Sequence, residues 1–501
     1  EEFVLRGHST LLDGLRERFP PGTAELSRVL SLAQVRRLHE ALGISSIAEL
    51  RRACEQNKVR WISGFGAKSE LKLLERIDSD APPRALVILP QAAAQGLALR
   101  EHLLRSPAVV RAELAGAFRR REETIAELEL VVGSDRAQSV AAQAKSASIV
   151  GSVESKKGSD RFVVHQLGLL DAHVRVVPPS DFAAAWIRAT GSAAHVAKLA
   201  ALAKKKRLVF DERGLRGARG PIPIASEEEL YARLGLAFVP PELREDSGEI
   251  EAAARDELPP DLVRVEDLQG AVHCHTVHSD GKNTVLEMAR AAEALGLKYL
   301  TITDHSASAT YAHGVELERL ERLSDEIASV QEQVDIKLLH GTESDILRDG
   351  ALDYPPKVLR RLDVVIASVH QRYKLDSESM TKRLVRALSH PLFKIWGHAL
   401  GRYVLSRPPF ECDMDEVLDT VAKSRAAVEI NGDPNRLDLA PRWIREASKR
   451  GIRFVVSSDA HSTQGLRNAS WGVDMARRGW LRKQDVLNTL GAEEFAAAVK
   501  P

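Results

Sequence analysis

Between residues 268 and 501 the chain repeats one unit seven times: a short apolar run, a metal-binding or polar residue closing it, then a helical stretch. The runs close with His273-Cys274-His275, Asp304-His305, Glu343, His370, His398, Asn431 and Asp459-Ala460-His461. Strand–helix repetition of this kind predicts an α/β barrel or barrel-like domain, and such barrels collect their reactive groups at the C-terminal ends of the strands. One face of the first helical stretch carries Val285, Met288, Ala289, Ala292 and Leu295, and Gly296 supplies a stop.

The closing residues are the donors that transition metals use. His273 and His275 alternate along a strand and so point to one face. Asp280 follows in the Ser279-Asp280-Gly281 turn. Side-by-side strands would add His305, Glu343, His370, His398, Asp459 and His461. Mixed nitrogen and oxygen donors suit Zn²⁺, Mn²⁺ or Fe²⁺ better than Mg²⁺ or Ca²⁺. Nine ligands are too many for one ion and suit two or three. Asp304 beside His305 is expected to orient a ligand histidine. Arg402 and Arg436, each carried after a strand end, are candidate phosphate clamps.

A chain of 501 residues exceeds one compact core, so several domains are expected. Lys+Arg 71 against Asp+Glu 70 leaves a net charge of +1, so any nucleic-acid surface must be local. The three cysteines, Cys54, Cys274 and Cys412, are far apart, form no paired zinc motif and fit a reducing cytoplasm. No apolar run reaches membrane-spanning length. Glu1 is not a start methionine, so upstream residues can be missing.

Upstream of the barrel, residues 1–84 read as short helices. They include Ser63-Gly64-Phe65-Gly66-Ala67-Lys68, a glycine-punctuated turn that leads into a helix through Leu71, Leu74 and Ile77. Such a turn offers backbone N–H groups to a phosphate, which makes Gly64, Gly66 and Lys68 candidate DNA contacts. Strand candidates at Ala85–Leu89, Thr124–Val132, Phe162–Val164 and Val174–Val177 alternate with alanine-rich helices. A smaller unit occupies 196–245. The acidic stretch from Glu245 to Glu257 reads as an exposed linker, placed at 246–267. Arg119 and Arg120 are further candidate phosphate contacts.

Residues 268–501 resemble the polymerase and histidinol phosphatase (PHP) domain. The likeness rests on His273-Cys274-His275-Thr276 with Ser279-Asp280-Gly281, Thr303-Asp304-His305, Gly341-Thr342-Glu343, Ser368-Val369-His370, Gly397-His398 and Ser458-Asp459-Ala460-His461. It implies a distorted seven-stranded barrel with three metal positions. His273, His275, Glu343 and Asp459 would hold one ion; Glu343, His370 and His398 the second; Asp280, His305 and His461 the third. Gly401-Arg402, Asp413-Met414, Glu429-Ile430-Asn431 and Pro434 to Leu439 narrow the resemblance to PHP domains of bacterial family X DNA polymerases. The resemblance therefore implies a multidomain α/β chain: a helix-hairpin-helix region (1–84), a palm-like domain (85–195), a thumb-like domain (196–245) and a C-terminal (βα)7 barrel.

The palm-like part departs from that family. Where the resemblance calls for three magnesium-binding aspartates, the chain has Glu127, Glu129 and His173. A glutamate's extra methylene displaces its carboxylate, and histidine is a poor Mg²⁺ ligand. Mg²⁺ is therefore not expected at the palm, and polymerase activity is expected to be lost. The expectation is a cytoplasmic, nucleoid-associated, Mn²⁺- or Zn²⁺-dependent phosphoesterase acting on DNA 3′ ends, gaps or abasic sites. The alternatives are a small-molecule phosphatase of the histidinol-phosphate type and a non-catalytic DNA-end binding module.

Overall fold

The computed structural model describes residues 22–26, 29–30, 32–78, 86–156, 158–167 and 170–501. The chain divides into two units, Glu1–Leu86 and Val87–Pro501.

In the first unit, α1 (Leu32–Leu42), α2 (Ile47–Glu55) and α3 (Ala67–Asp78) surround Val35, Leu38, Leu50, Val59 and Phe65. Ser46 caps α2 by accepting from the N–H of Glu49, whose carboxylate accepts in turn from the N–H of Ser45. The glycine turn leads directly into α3, as the sequence predicts. Gly64 has φ +87°, a left-handed conformation that favours glycine at this position. The linker expected near 79–84 lies outside the described residues.

The second unit begins with a five-stranded sheet of β1 (Arg111–Leu114), β2 (Leu128–Gly133), β3 (Val150–Ser155), β4 (Arg161–Gln166) and β5 (Ala172–Val177). Its order is β1-β2-β5-β4-β3, with only β2 and β5 parallel. Helices α4 (Leu89–Leu104) and α5 (Ala137–Lys145) cover it. Of the strand expected over 85–89, Val87–Ile88 forms and Leu89 with Pro90 begins α4, while Ala85 lies outside the described residues.

Next come α6 (Phe182–Thr190), α7 (Ala193–Lys205), the hairpin of β6 (Val209–Asp211) and β7 (Gly214–Gly217), and α8 (Glu227–Leu234). The acidic stretch read as an exposed linker is instead α9 (Glu249–Arg255), with Ile250, Ala252 and Ala253 buried. Its first residue, Glu249, is fully buried and accepts a 2.6 Å hydrogen bond from Nδ1 of His195, whose Nε2 faces the Tyr231 hydroxyl at 2.9 Å. Burial of a charge paired in this way fixes the segment against the thumb-like domain.

The barrel follows: β8 (Gly270–Cys274), β9 (Tyr299–Ile302), β10 (Lys337–Asp345), β11 (Val364–Ser368), β12 (Lys394–Trp396), β13 (Ala426–Asn431) and β14 (Arg453–Ser457). All seven are parallel and neighbour one another in chain order. A parallel bridge between Cys274 and Ala460 joins the first strand to the last, so the ring nearly closes. Helix α10 (Val285–Ala294) buries the predicted face, and Thr284 and Glu287 cap it reciprocally. The N-terminal floor of the barrel is filled by Val272, Tyr299, Ile366, Val455 and the last helix, α11 (Ala492–Val499). The Phe495 ring of α11 stacks on Tyr299 with centroids 4.7 Å apart. The opposite end is left to polar side chains.

Candidate metal centre and its rim

The nine residues expected as ligands meet at the C-terminal end of the barrel. Glu343, at the end of β10, is their centre. Its two carboxylate oxygens lie 2.8 Å from His398, 3.0 Å from His305, 3.1 Å from His370, 3.3 Å from His273 and 3.7 Å from His275. Asp459 lies 3.3 Å from Nε2 of His275 and 3.6 Å from Nε2 of His273. Asp280 faces His461 at 3.3 Å, His305 at 3.6 Å and His275 at 3.9 Å. Three groups bring their donor atoms within 4.8 Å of one another: His275-Asp280-His305-His461, His273-His275-Asp459 and His305-Glu343-His370.

The backbone bends to make this possible. His273, His398 and Asp459 all have positive φ, at 64°, 24° and 48°. Left-handed backbone at non-glycine residues costs on the order of 1–3 kcal/mol each and concentrates at functional sites. The register of β8 shifts between Ala271 and Cys274, so His273 sits on a bulge and not on the regular strand the sequence implies. The expected outcome still holds: His273 and His275 both face the cluster, and Cys274 packs outward among the helices.

The electrostatics divide the histidines into two sets. Burial, with His461 and His305 alongside, lowers His275 to about 4. Burial and the nearby Arg436 do the same to His398. Burial would raise the Asp280 carboxyl, but His461, His275 and His305 more than offset it and hold it at about 2. Burial likewise opposes ionisation of Glu343, and the surrounding imidazoles hold it well below the usual carboxylate range. His370 and His461 go the other way: their carboxylate neighbours overcome burial and raise each to about 9. Nε2 of His273, both ring nitrogens of His275, Nδ1 of His305 and Nδ1 of His398 are buried without hydrogen-bond partners. Buried imidazole nitrogens left unpaired among ionised carboxylates are the donor set of a divalent-cation site, so these residues fit metal ions.

Two carboxylates outside the expected set orient ligands. Nδ1 of His273 donates to Glu429 at 2.5 Å, and Nδ1 of His370 to Asp345 at 2.5 Å. Each lies two residues from a strand-end polar residue, on the same face. That period was the signal available in the sequence. Asp304 was expected in this role but has another: it accepts from the N–H and hydroxyl of Thr276 and from the Ser279 hydroxyl. It fixes the turn that carries Asp280.

A cavity of about 310 Å³ opens over the cluster, rimmed by Tyr311, Tyr373, Tyr403, Arg407 and Arg436. Arg436 lies 3.2 Å from Asp459, in keeping with its expected place. Arg402 does not line this cavity, contrary to expectation. Its guanidinium donates to the carbonyls of Arg436 and Leu437 and pairs with Glu123 at 3.3 Å. A side chain so committed is a brace between palm-like domain and barrel. Arg407 occupies the rim in its stead.

The palm-like positions also converge. Glu129 on β2 is in register with His173 on β5, and Glu127 lies 3.3 Å from Nε2 of His173. Burial raises the Glu129 carboxyl, with Arg120 opposing it. Arg119 and Arg120, expected to contact DNA, are bonded internally. Arg119 binds Glu227 at 2.6 and 2.7 Å and lies 3.2 Å over the Trp186 ring. Arg120 donates to Glu245 and to the carbonyl of Thr190. Both join palm-like to thumb-like domain. Gly64 and Gly66 sit at the N-terminus of α3 as read; the side chain of Lys68 lies outside the described residues.

Comparison with known proteins agrees with this architecture. Residues 185–245 match the DNA polymerase beta thumb and residues 271–433 the PHP domain. The chain is 31% identical to the DNA polymerase/3′-5′ exonuclease PolX of Bacillus subtilis, over 100% of this chain and 88% of that protein. It is 30% identical to a probable phosphatase of Caldanaerobacter subterraneus, over 38% of this chain and 74% of the relative. A probable phosphatase of Thermoanaerobacter is 28% identical over 43% of this chain and 89% of its own length.

Proposed function

Because the chain belongs to the family X DNA polymerases that carry a C-terminal PHP domain, we propose that it hydrolyses phosphoesters at DNA 3′ ends at the Glu343-centred cluster. The observation that carries this is the meeting of five imidazoles around one carboxylate beneath an open, cationic rim. His273, His275, Glu343 and Asp459 form one ligand group, Glu343, His370 and His398 a second, and Asp280, His305 and His461 a third. Glu343 is shared between groups. Mn²⁺ or Zn²⁺ bound there would supply a nucleophilic hydroxide and neutralise the phosphoryl oxygens.

The chain's own residues do the rest. Glu429 and Asp345 hold His273 and His370 in the tautomers that turn Nε2 inward. Arg436, beside Asp459 at the cavity wall, holds the phosphoryl group by charge-assisted hydrogen bonds. Water adds to phosphorus, the bond to the upstream 3′ oxygen breaks, and that oxygen takes the proton. Removal of a 3′-phosphate and incision 5′ to an abasic site break the same kind of phosphorus–3′-oxygen bond and differ in what else the phosphorus carries, which suits a role in repair.

Template-directed synthesis is absent from this reading. Glu127, 3.3 Å from the His173 ring, and a half-buried Glu129 stand where two Mg²⁺ ions would need three closely placed carboxylates. The palm- and thumb-like domains then serve as a DNA-holding scaffold. The test is end-labelled DNA incubated with Mn²⁺, with and without nucleotides, using the intact protein and a His273→Ala plus Asp459→Ala variant. Shortened products from the intact protein alone support the reading. Cutting unchanged in the variant removes the barrel from the mechanism. Turnover of p-nitrophenyl phosphate with indifference to DNA would favour a small-molecule phosphatase.

A further inference from the structure

Arg407 is the cation in the rim that no carboxylate claims. Among the described residues it has no acidic partner, and its Nη2 is buried without a hydrogen-bond partner. Its guanidinium lies 4.1 Å from the centroid of Tyr373 and 4.3 Å from that of Tyr403, and Nε donates to the carbonyl of Gly401 at 2.8 Å. Two aromatic rings and a carbonyl hold a positive charge still, so little entropy is lost when it meets an anion.

Arg436 shares the Tyr403 ring, at 4.5 Å from its centroid, and also has a buried nitrogen, Nη1, without a partner. The two guanidiniums are thus neighbours across one ring. They differ in what they face. Arg436 touches Asp459 and the cluster, whereas Arg407 belongs to two cavities at once. With Tyr403 it lines both the cavity over the cluster and an adjoining groove of about 470 Å³, which runs past Leu405 to Thr124 of the palm-like domain.

We infer that Arg407 is the subsite for a second phosphate: it holds the phosphodiester next to the one being hydrolysed, while Arg436 holds the scissile one. The substrate class that uses both is a nucleotide chain, not a phosphomonoester. The chain would leave the cavity past Arg407 along the groove toward the palm-like domain. The inference rests on the phosphoesterase reading above and adds a source of selectivity to it.

The test uses the full chain with Mn²⁺ and three substrates: p-nitrophenyl phosphate, the thymidine dinucleotide with one phosphodiester, and the trinucleotide with two. Arg407→Gln keeps the stem between the rings and removes the charge. It is expected to lower kcat/KM for the trinucleotide roughly tenfold, mostly through KM, and to leave the other two within about twofold. Arg407→Lys recovers part of the loss. A neutral methylphosphonate at the second linkage should cost the unsubstituted protein the same factor and make Arg407→Gln silent. Equal losses on dinucleotide and trinucleotide, or losses from methylphosphonate and Arg407→Gln that simply add, overturn the assignment. If the unsubstituted protein cuts none of the three, the phosphoesterase reading fails. Anisotropy of a labelled trinucleotide then decides on Arg407 separately, equal affinity of the two proteins counting against it.

Discussion

Nδ1 of His273 and Oε1 of Glu429 lie 2.5 Å apart in a fully buried pair, and this contact turns Nε2 of the same ring toward Glu343 at 3.3 Å. Glu429 also accepts from the N–H of His398 and the side-chain amide of Asn431. One carboxylate therefore sets the orientation of the first strand's histidine and the backbone of the fifth strand's.

Glu429→Gln is expected to weaken metal binding by roughly 10- to 100-fold while the protein stays folded. Metal titration monitored by calorimetry, with circular dichroism as the control for folding, checks this. Unchanged affinity would mean that His273 needs no orienting partner.

Glu343→Gln keeps the shape of the central residue and removes its charge. Because five imidazoles converge on that group, the expectation is fewer bound ions per chain and a loss of hydrolysis on the order of a hundredfold or more. Elemental analysis after reconstitution with Mn²⁺ and a single-turnover assay read the two effects. Full metal content with full activity would rule out Glu343 as the shared ligand.

Acid stability should report the junction of palm and thumb. Burial would raise the Glu227 carboxyl, but Arg119 and Arg244 overcome it and bring it from its ordinary value of 4.5 to about 2. The group is depressed in the folded state, so its contribution is complete above pH 4.5 and is lost as pH falls toward 2. The contribution is about 3 kcal/mol. Urea unfolding of the intact protein and of Glu227→Gln at several pH values gives the difference. The variant is expected to be less stable at pH 7 and to lose less between pH 4.5 and 2. Parallel profiles would contradict the assignment.

Primer extension tests the palm. With Mg²⁺, a gapped template and all four nucleotides, no product longer than the primer is expected. Any nucleotide-dependent lengthening abolished by Glu129→Ala would show that the palm still polymerises.

The candidate metal site was legible because all its proposed ligands but Asp280 lie at or just beyond a strand end, and strand ends of a barrel meet whatever the intervening helices do. Fold class followed from the same repetition. What stayed hidden depended on partners far along the chain. Arg119 and Arg120 sit in a run of three arginines, which looks like a solvated, phosphate-seeking patch until Glu227 and Glu245 arrive from the thumb-like domain. The stretch after Glu245 is poor in apolar residues and reads as linker, because nothing local reveals that Glu249 will be buried against His195. Arg402 and Arg407 stand five residues apart in one loop. Only the contact with Glu123 tells which of them is a brace and which is free to meet substrate.

The stacking of Phe495 on Tyr299 has a consequence for biosynthesis. The plug that completes the barrel's interior comes from its most C-terminal helix, and its burial contributes about 1.5–3 kcal/mol for the phenyl ring alone. All nine ligands leave the ribosome before that plug does. A nascent chain stalled ahead of Ala492 therefore carries every chelating group on an unfinished scaffold, and should be cut by a protease within residues 268–490 where the released protein resists. Nuclease competence would then wait for this helix, sparing nearby nucleic acid from a half-built enzyme.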